Sequence, residues 1–143
     1  MANKKTEAPA INEGSALKQA WVSIAVWMTL GLLLEGLLAF RSPAYLQDEV
    51  RREMFRLAHS HGGVLNLLLL AAAFYVRIFS PKFPNIAMLA LRVGVVLMPV
   101  GFLLGGIWHY NSDPGPGVFL APLGGLVIIF GVVSVAVSAF SKE

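Results

Sequence analysis

Lys18–Phe40 reads KQAWVSIAVWMTLGLLLEGLLAF, and this run decides the class of the protein. From Ala20 to Phe40 its only charged residue is Glu35. A helix that crosses a bilayer needs about 20 mostly apolar residues. Three further runs meet that requirement: residues 53–79, apolar from Leu57 to Val76, then 86–109, then 118–140. The expected fold is all-α, a four-helix transmembrane bundle over residues 18–143, preceded by a polar tail, 1–17. Each break carries turn chemistry. Arg41-Ser-Pro43 ends the first run, because proline and its predecessor disfavour helix. Ser80-Pro-Lys-Phe-Pro84 and Asn111-Ser-Asp-Pro-Gly-Pro-Gly117 make the other two breaks. The charged connection 41–52 is the longest and is expected to lie as a short helix on the membrane surface.

Composition agrees. Of 143 residues, 57% are hydrophobic and 13% charged, whereas soluble domains carry about 25% charged residues. Mean hydropathy is +0.71. There is no cysteine, which excludes disulfides, thiolate metal sites and a cysteine nucleophile. The polar tail has no apolar core of the signal-peptide kind, so the first helix is expected to act as an uncleaved insertion signal. A net charge of +3, spread along the chain, gives no footprint for nucleic acid. No Ser-His-Asp arrangement or zinc-protease motif points to a hydrolase.

Lys and Arg in short flanks set orientation. Lys4, Lys5, Lys18, Arg77, Lys82 and Lys142 fall on one side, and Arg41, Arg51, Arg52 and Arg56 on the other. Six against four predicts both termini in the cytoplasm, in a multi-pass protein of a bacterial inner membrane. Asp48, Glu49, Glu53 and Asp113 then lie outside.

Four ionisable residues sit in or beside the apolar runs: Glu35, His59, His61 and His109. Such groups are costly in hydrocarbon and tend to mark function. With a rise of about 1.5 Å per residue, Glu35 lies about 7 Å below the outer end of its helix and His59 about 9 Å into the next. His109 closes the third helix at the same surface, so all four share one layer near one face. At about 100° per residue, His59 shares a stripe with Arg52, Arg56, Gly62, Gly63, Asn66 and Ala73. That small, polar stripe reads as a helix–helix contact. His61 lies about 200° away among Leu57, Val64, Leu65 and Leu68. On a regular helix the two imidazoles serve different partners. His59 is expected to face the bundle, and His61 a second partner or a neighbouring subunit.

Two readings stand for each residue. His59, His61 and His109 are candidate ligands of haem iron or another transition metal through neutral imidazole. Glu35 is a candidate metal ligand, proton carrier or orienting carboxylate. The plain alternative is hydrogen bonding between helices, with His109 joining Trp108 and Tyr110 in an interfacial aromatic belt. Asn66 and Asp113 are candidate supporting residues, otherwise interhelical glue and a rigid turn. Arg92 is expected to snorkel to the surface. Gly101-Phe-Leu-Leu-Gly105 reads as a packing motif, and Pro99 and Pro122 as kinks. Met98 lies mid-helix, with nothing beside it to suggest an axial ligand.

The stretch Phe55-Arg-Leu-Ala-His-Ser-His-Gly-Gly-Val-Leu-Asn-Leu-Leu-Leu-Leu70 resembles the haem-ligand helix of the haem-copper oxidase and nitric oxide reductase catalytic subunits. The resemblance covers one helix and implies an axial haem ligand at His59 or His61. The fourth run has no histidine, so the family's three-histidine copper centre is not implied. Glu49-Val-Arg-Arg-Glu-Met-Phe-Arg-Leu-Ala-His59 is also similar to the four-helix membrane glutathione transferases, but Ser60-His61-Gly62-Gly63 replaces that family's Asn and Glu.

The leading expectation is an integral membrane haem- or metal-binding protein with an outward-facing His/Glu site and a redox or electron-transfer role. Its cofactor would be haem b or a transition metal. A non-catalytic subunit or assembly factor of a larger membrane complex is one alternative. A proton- or ion-coupled transporter, acting as a homo-oligomer, is the other. The bilayer is the partner common to all three.

Overall fold

The computed structural model describes residues 13–79 and 83–140. The tail before Glu13, most of the turn at Ser80–Lys82, and the flank cations Lys4, Lys5, Lys82 and Lys142 lie outside the described residues. The rest is helical: α1 (Glu13–Ala39), α2 (Pro43–Leu46), α3 (Glu49–Phe79), α4 (Asn85–Ile107), a 3-10 turn (Pro116–Phe119) and α5 (Leu120–Phe140). Four of these, α1, α3, α4 and α5, are long and apolar enough to cross a membrane. The chain is thus a multi-pass helical membrane protein.

Helix ends follow local chemistry. Arg41 takes a left-handed φ of 50° just before Pro43, which opens α2 from its first turn. Asp48 starts α3: its Oδ1 accepts the Arg51 backbone N–H at 2.9 Å, satisfying a donor the helix cannot satisfy itself. This cap begins α3 at Glu49, four residues ahead of the sequence expectation. α4 stops at Ile107, two residues short of the expected His109. There the turn 108–115 folds back, and the Gly115 N–H donates to the Gly105 carbonyl at 2.9 Å. A side chain at Gly115 would run into the Trp108 carbonyl oxygen. Pro122 falls in the first turn of α5, where a missing N–H costs nothing, so it need not kink the helix. Pro99 lies inside α4, as expected.

The helices pack in sequence order. α1 lies on α3, α3 on α4, and α4 on α5, while α1 and α5 make no contact among the described residues. The bundle is therefore an open row with α3 and α4 in its middle. Of the buried positions of α3, Ala58, Gly62, Asn66, Leu69, Ala73 and Val76 recur every three or four residues and form one stripe, with Ala72 beside it. Lipid is as apolar as leucine, so helices in a bilayer hold together by close van der Waals fit, which small residues permit. The α1–α3 contact shows this fit: Trp27 of α1 lies over Gly62, and His59 of α3 lies over Gly31. Gly63, included in the expected contact stripe, faces open space. At the α4–α5 contact Gly101 meets the Ala121 backbone at 2.6 Å from an ideal Cβ, and Gly105 meets Val118 at 3.1 Å, so the motif is a packing motif.

A Gly62→Val side chain would overlap the Trp27 indole, and such overpacking costs about 1–3 kcal/mol. Gly63→Val meets nothing and is expected to change stability by less than about 0.5 kcal/mol. Thermal unfolding of the two variants in detergent separates them; equal stability would overturn the α1–α3 register.

Candidate functional site

α3 sits mid-row, so it has a neighbour on each side, and its two histidines are divided between them. His59 faces α1. Its Nδ1 lies 2.8 Å from the Trp27 carbonyl oxygen. A carbonyl only accepts, so Nδ1 carries the proton and the lone pair of the neutral ring is on Nε2. The bond is possible because Gly31, one turn along α1, leaves room for the ring. His61 faces α4 of the same chain. Its Nδ1–H donates to the Leu57 carbonyl at 2.9 Å, and its ring packs on Phe102 with centroids 5.0 Å apart. The second partner expected for His61 is thus α4, and no neighbouring subunit is needed to account for its position.

His59 and Glu35 line a common groove of about 800 Å³ between α1 and α3. Its apolar wall holds Met28, Leu32 and Leu38. Its rim holds Tyr45, Arg52, Glu53 and Arg56. Arg52 and Arg56 pair loosely with Glu49 and Glu53, at 3.8 and 3.7 Å. Arg52 also donates to the Leu46 carbonyl at 2.8 Å, tying the end of α2 to α3. Glu35 forms no ion pair among the described residues and is exposed to the groove.

His109 is elsewhere. It lies beyond α4 in a second cleft, of about 650 Å³, lined also by Asp48, Arg51, Asn111 and Ser112. Its Nε2 lies 2.8 Å from Asp48 Oδ2, which accepts the proton, while Nδ1 is buried without a partner. Arg51 reaches the same carboxylate at 3.5 Å, and its 3.4 Å approach to His109 Nε2 is proximity rather than a second bond. Burial by itself would raise the Asp48 pKa. The Arg51 backbone N–H, the His109 imidazole and the Arg51 charge together outweigh it and hold the carboxyl below its ordinary 3.8. Asp48, expected only to lie outside, is a site residue: an Asp three residues before the first residue of an Arg pair is a legible cap, but its bond to His109 is not.

The expected layer of four thus divides. Glu35 and His59 share a groove, His61 lies on the opposite flank of α3, and His109 is latched to Asp48. No three His, Asp or Glu residues come together as metal ligands among the described residues. Asn66 is fully buried; its Nδ2 donates to the Gly62 carbonyl at 2.7 Å, and Oδ1 has no partner. It supports the helix beneath His59 rather than bonding the ring. Asp113 pairs with Tyr110 through backbone bonds of 3.0 and 3.2 Å, and so makes a turn. Arg92 is met by Gln19 and Ser15 of α1 rather than by the surface alone. No family model matches the chain, and comparison with curated proteins and with solved structures finds no match.

Asp48 joins α2, α3 and the end of α4. A carboxyl whose folded pKa lies below its ordinary value contributes stability that is full above that value and is lost as pH falls through the folded pKa. Asp48→Asn keeps an oxygen for the cap but loses the carboxylate that holds His109, and is expected to cost about 1 kcal/mol at neutral pH, the scale of one side-chain hydrogen bond. The gap between native protein and variant should close as pH drops below 3.8. Thermal unfolding across that range checks it, and a gap that widens in acid would refute it.

Proposed function

We propose that the protein binds haem b in the α1–α3 groove, with His59 as an axial ligand, and serves in electron transfer. The orientation of His59 carries this reading. Its Nδ1–H is held by a backbone carbonyl, the arrangement that fixes the tautomer of ligating histidines and leaves the lone pair on Nε2. No described residue bonds that Nε2, and the ring borders a groove of about 800 Å³.

The donor set favours haem over a bare metal ion. A structural or catalytic ion takes three or four protein ligands, and the described residues bring no three together. A porphyrin brings four nitrogens of its own and asks the protein for one or two. The remaining residues fit such a group. Met28, Leu32 and Leu38 offer an apolar wall, while Arg52 and Arg56 stand at the rim where carboxylate side groups would lie. Glu35 stands exposed on the groove wall. When bound, the haem supplies the one-electron chemistry. The chain orients it, shields one face with aliphatic side chains and sets the local charge. The transport reading gains less support: the grooves among the described residues lie along neighbouring helices, and an open row encloses no central path.

The test is the absorption spectrum of protein purified from haem-replete cells, with haem measured chemically. A Soret band is expected, lost in His59→Ala and retained in His109→Ala. Arg52→Gln with Arg56→Gln should weaken haem retention. Colourless protein under these conditions, or an unchanged band in His59→Ala, would overturn the reading.

A further inference from the structure

Arg92 lies near the start of α4, at the opposite end of the helices from His109. It lies seven residues into α4, about 10 Å from the helix start. A guanidinium at that depth needs compensation. Among the described side chains its partners are oriented and neutral. Arg92 Nε donates to Gln19 Oε1 at 2.8 Å and Nη1 to Ser15 Oγ at 3.0 Å. Gln19 Nε2 returns a bond to the Arg92 carbonyl at 2.8 Å. This reciprocal clasp joins α1 to α4, two helices that otherwise scarcely meet. It fixes the guanidinium and leaves its other N–H groups without a bond to any described side chain of α1 or α4. No carboxylate of residues 14–79 or 83–140 lies within ion-pair distance of it.

The clasp closes one end of a groove of about 390 Å³, whose remaining lining is Leu89, Val93, Val96 and Leu97. Val93, Val96 and Leu97 lie deeper along α4 than Arg92. The groove is thus cationic towards the helix ends and aliphatic towards the middle of the membrane. Exposed Lys18 lies beside Gln19 and adds positive charge at the same end. A fixed planar guanidinium with free N–H groups suits a phosphodiester, which accepts two parallel bonds.

We propose that this α1–α4 groove binds an anionic phospholipid of the leaflet nearest the start of α1, with the phosphate on Arg92 and an acyl chain along Val93, Val96 and Leu97. The site is independent of the haem reading. Basic pockets between membrane helices recognise lipid headgroups in this way.

Native mass spectrometry of the full chain in detergent, titrated with phosphatidylglycerol, phosphatidylcholine or inorganic phosphate, tests it. Phosphatidylglycerol is expected to be retained about fivefold better than phosphatidylcholine, the scale of one basic side chain facing anionic lipid. Arg92→Gln should reduce that preference to near unity, and Arg92→Lys should keep part of it. Val96→Trp leaves the clasp intact but fills the chain's seat, and should lower retention of phosphatidylglycerol even if Arg92→Gln folds poorly. Equal retention of the two lipids would overturn the proposal. So would displacement of phosphatidylglycerol by equimolar inorganic phosphate, which would mark a soluble-anion site. A preference unchanged in Arg92→Gln, or an Arg92-dependent dimer with no lipid selectivity, would overturn it as well.

Discussion

The whole arrangement depends on how closely α1 can approach α3. Burying apolar area gains little in a bilayer, so helices adhere only where surfaces fit at van der Waals distance or exchange hydrogen bonds. At this contact both occur within two turns. Trp27 occupies the space over Gly62, and the His59 ring occupies the space over Gly31. The imidazole then bonds the Trp27 carbonyl. The same residues that lock the helices together thus decide which nitrogen of His59 is left to do chemistry.

Position in the row explains the rest of the polar map. An end helix such as α1 has one neighbour and can leave Glu35 in a groove. α3 has two neighbours, on roughly opposite sides, and therefore accommodates two histidines about 200° apart without placing either in lipid. Where α1 and α4 approach beyond α3, the Gln19–Arg92 clasp bridges them with polar side chains rather than packed aliphatics. The charged connection before α3 is also structural: Arg52 ties back α2, and Asp48 caps α3 while holding His109.

Much of this was legible in the chain. Four spans and their breaks follow from apolar run length and proline placement; of the connection 41–52, expected as one short surface helix, 43–46 form a helix of their own and 49–52 belong to α3. The stripe through His59, Gly62 and Asn66 correctly marked a helix contact, because helical period converts spacing directly into direction. Helical rise gives Glu35, His59, His61 and His109 one expected level, but level is only one coordinate. Residues at one level can still lie on different faces, and here they do. Asp48 escaped notice because the value of a cap in sequence is local, whereas its bond to His109 spans 61 positions.

What the sequence determined by itself was the class and the number of spans, since both depend on hydrophobic length; for the polar residues it offered only an expected level. Only the tertiary structure decided which of those residues meet. Side-chain partners between helices are set by the order and rotation in which the helices pack, and that order rests on a few glycine contacts too short-ranged to show as a pattern. An open row, rather than a closed ring, is why His59 and Glu35 share a groove while His61 and His109 turn to other neighbours.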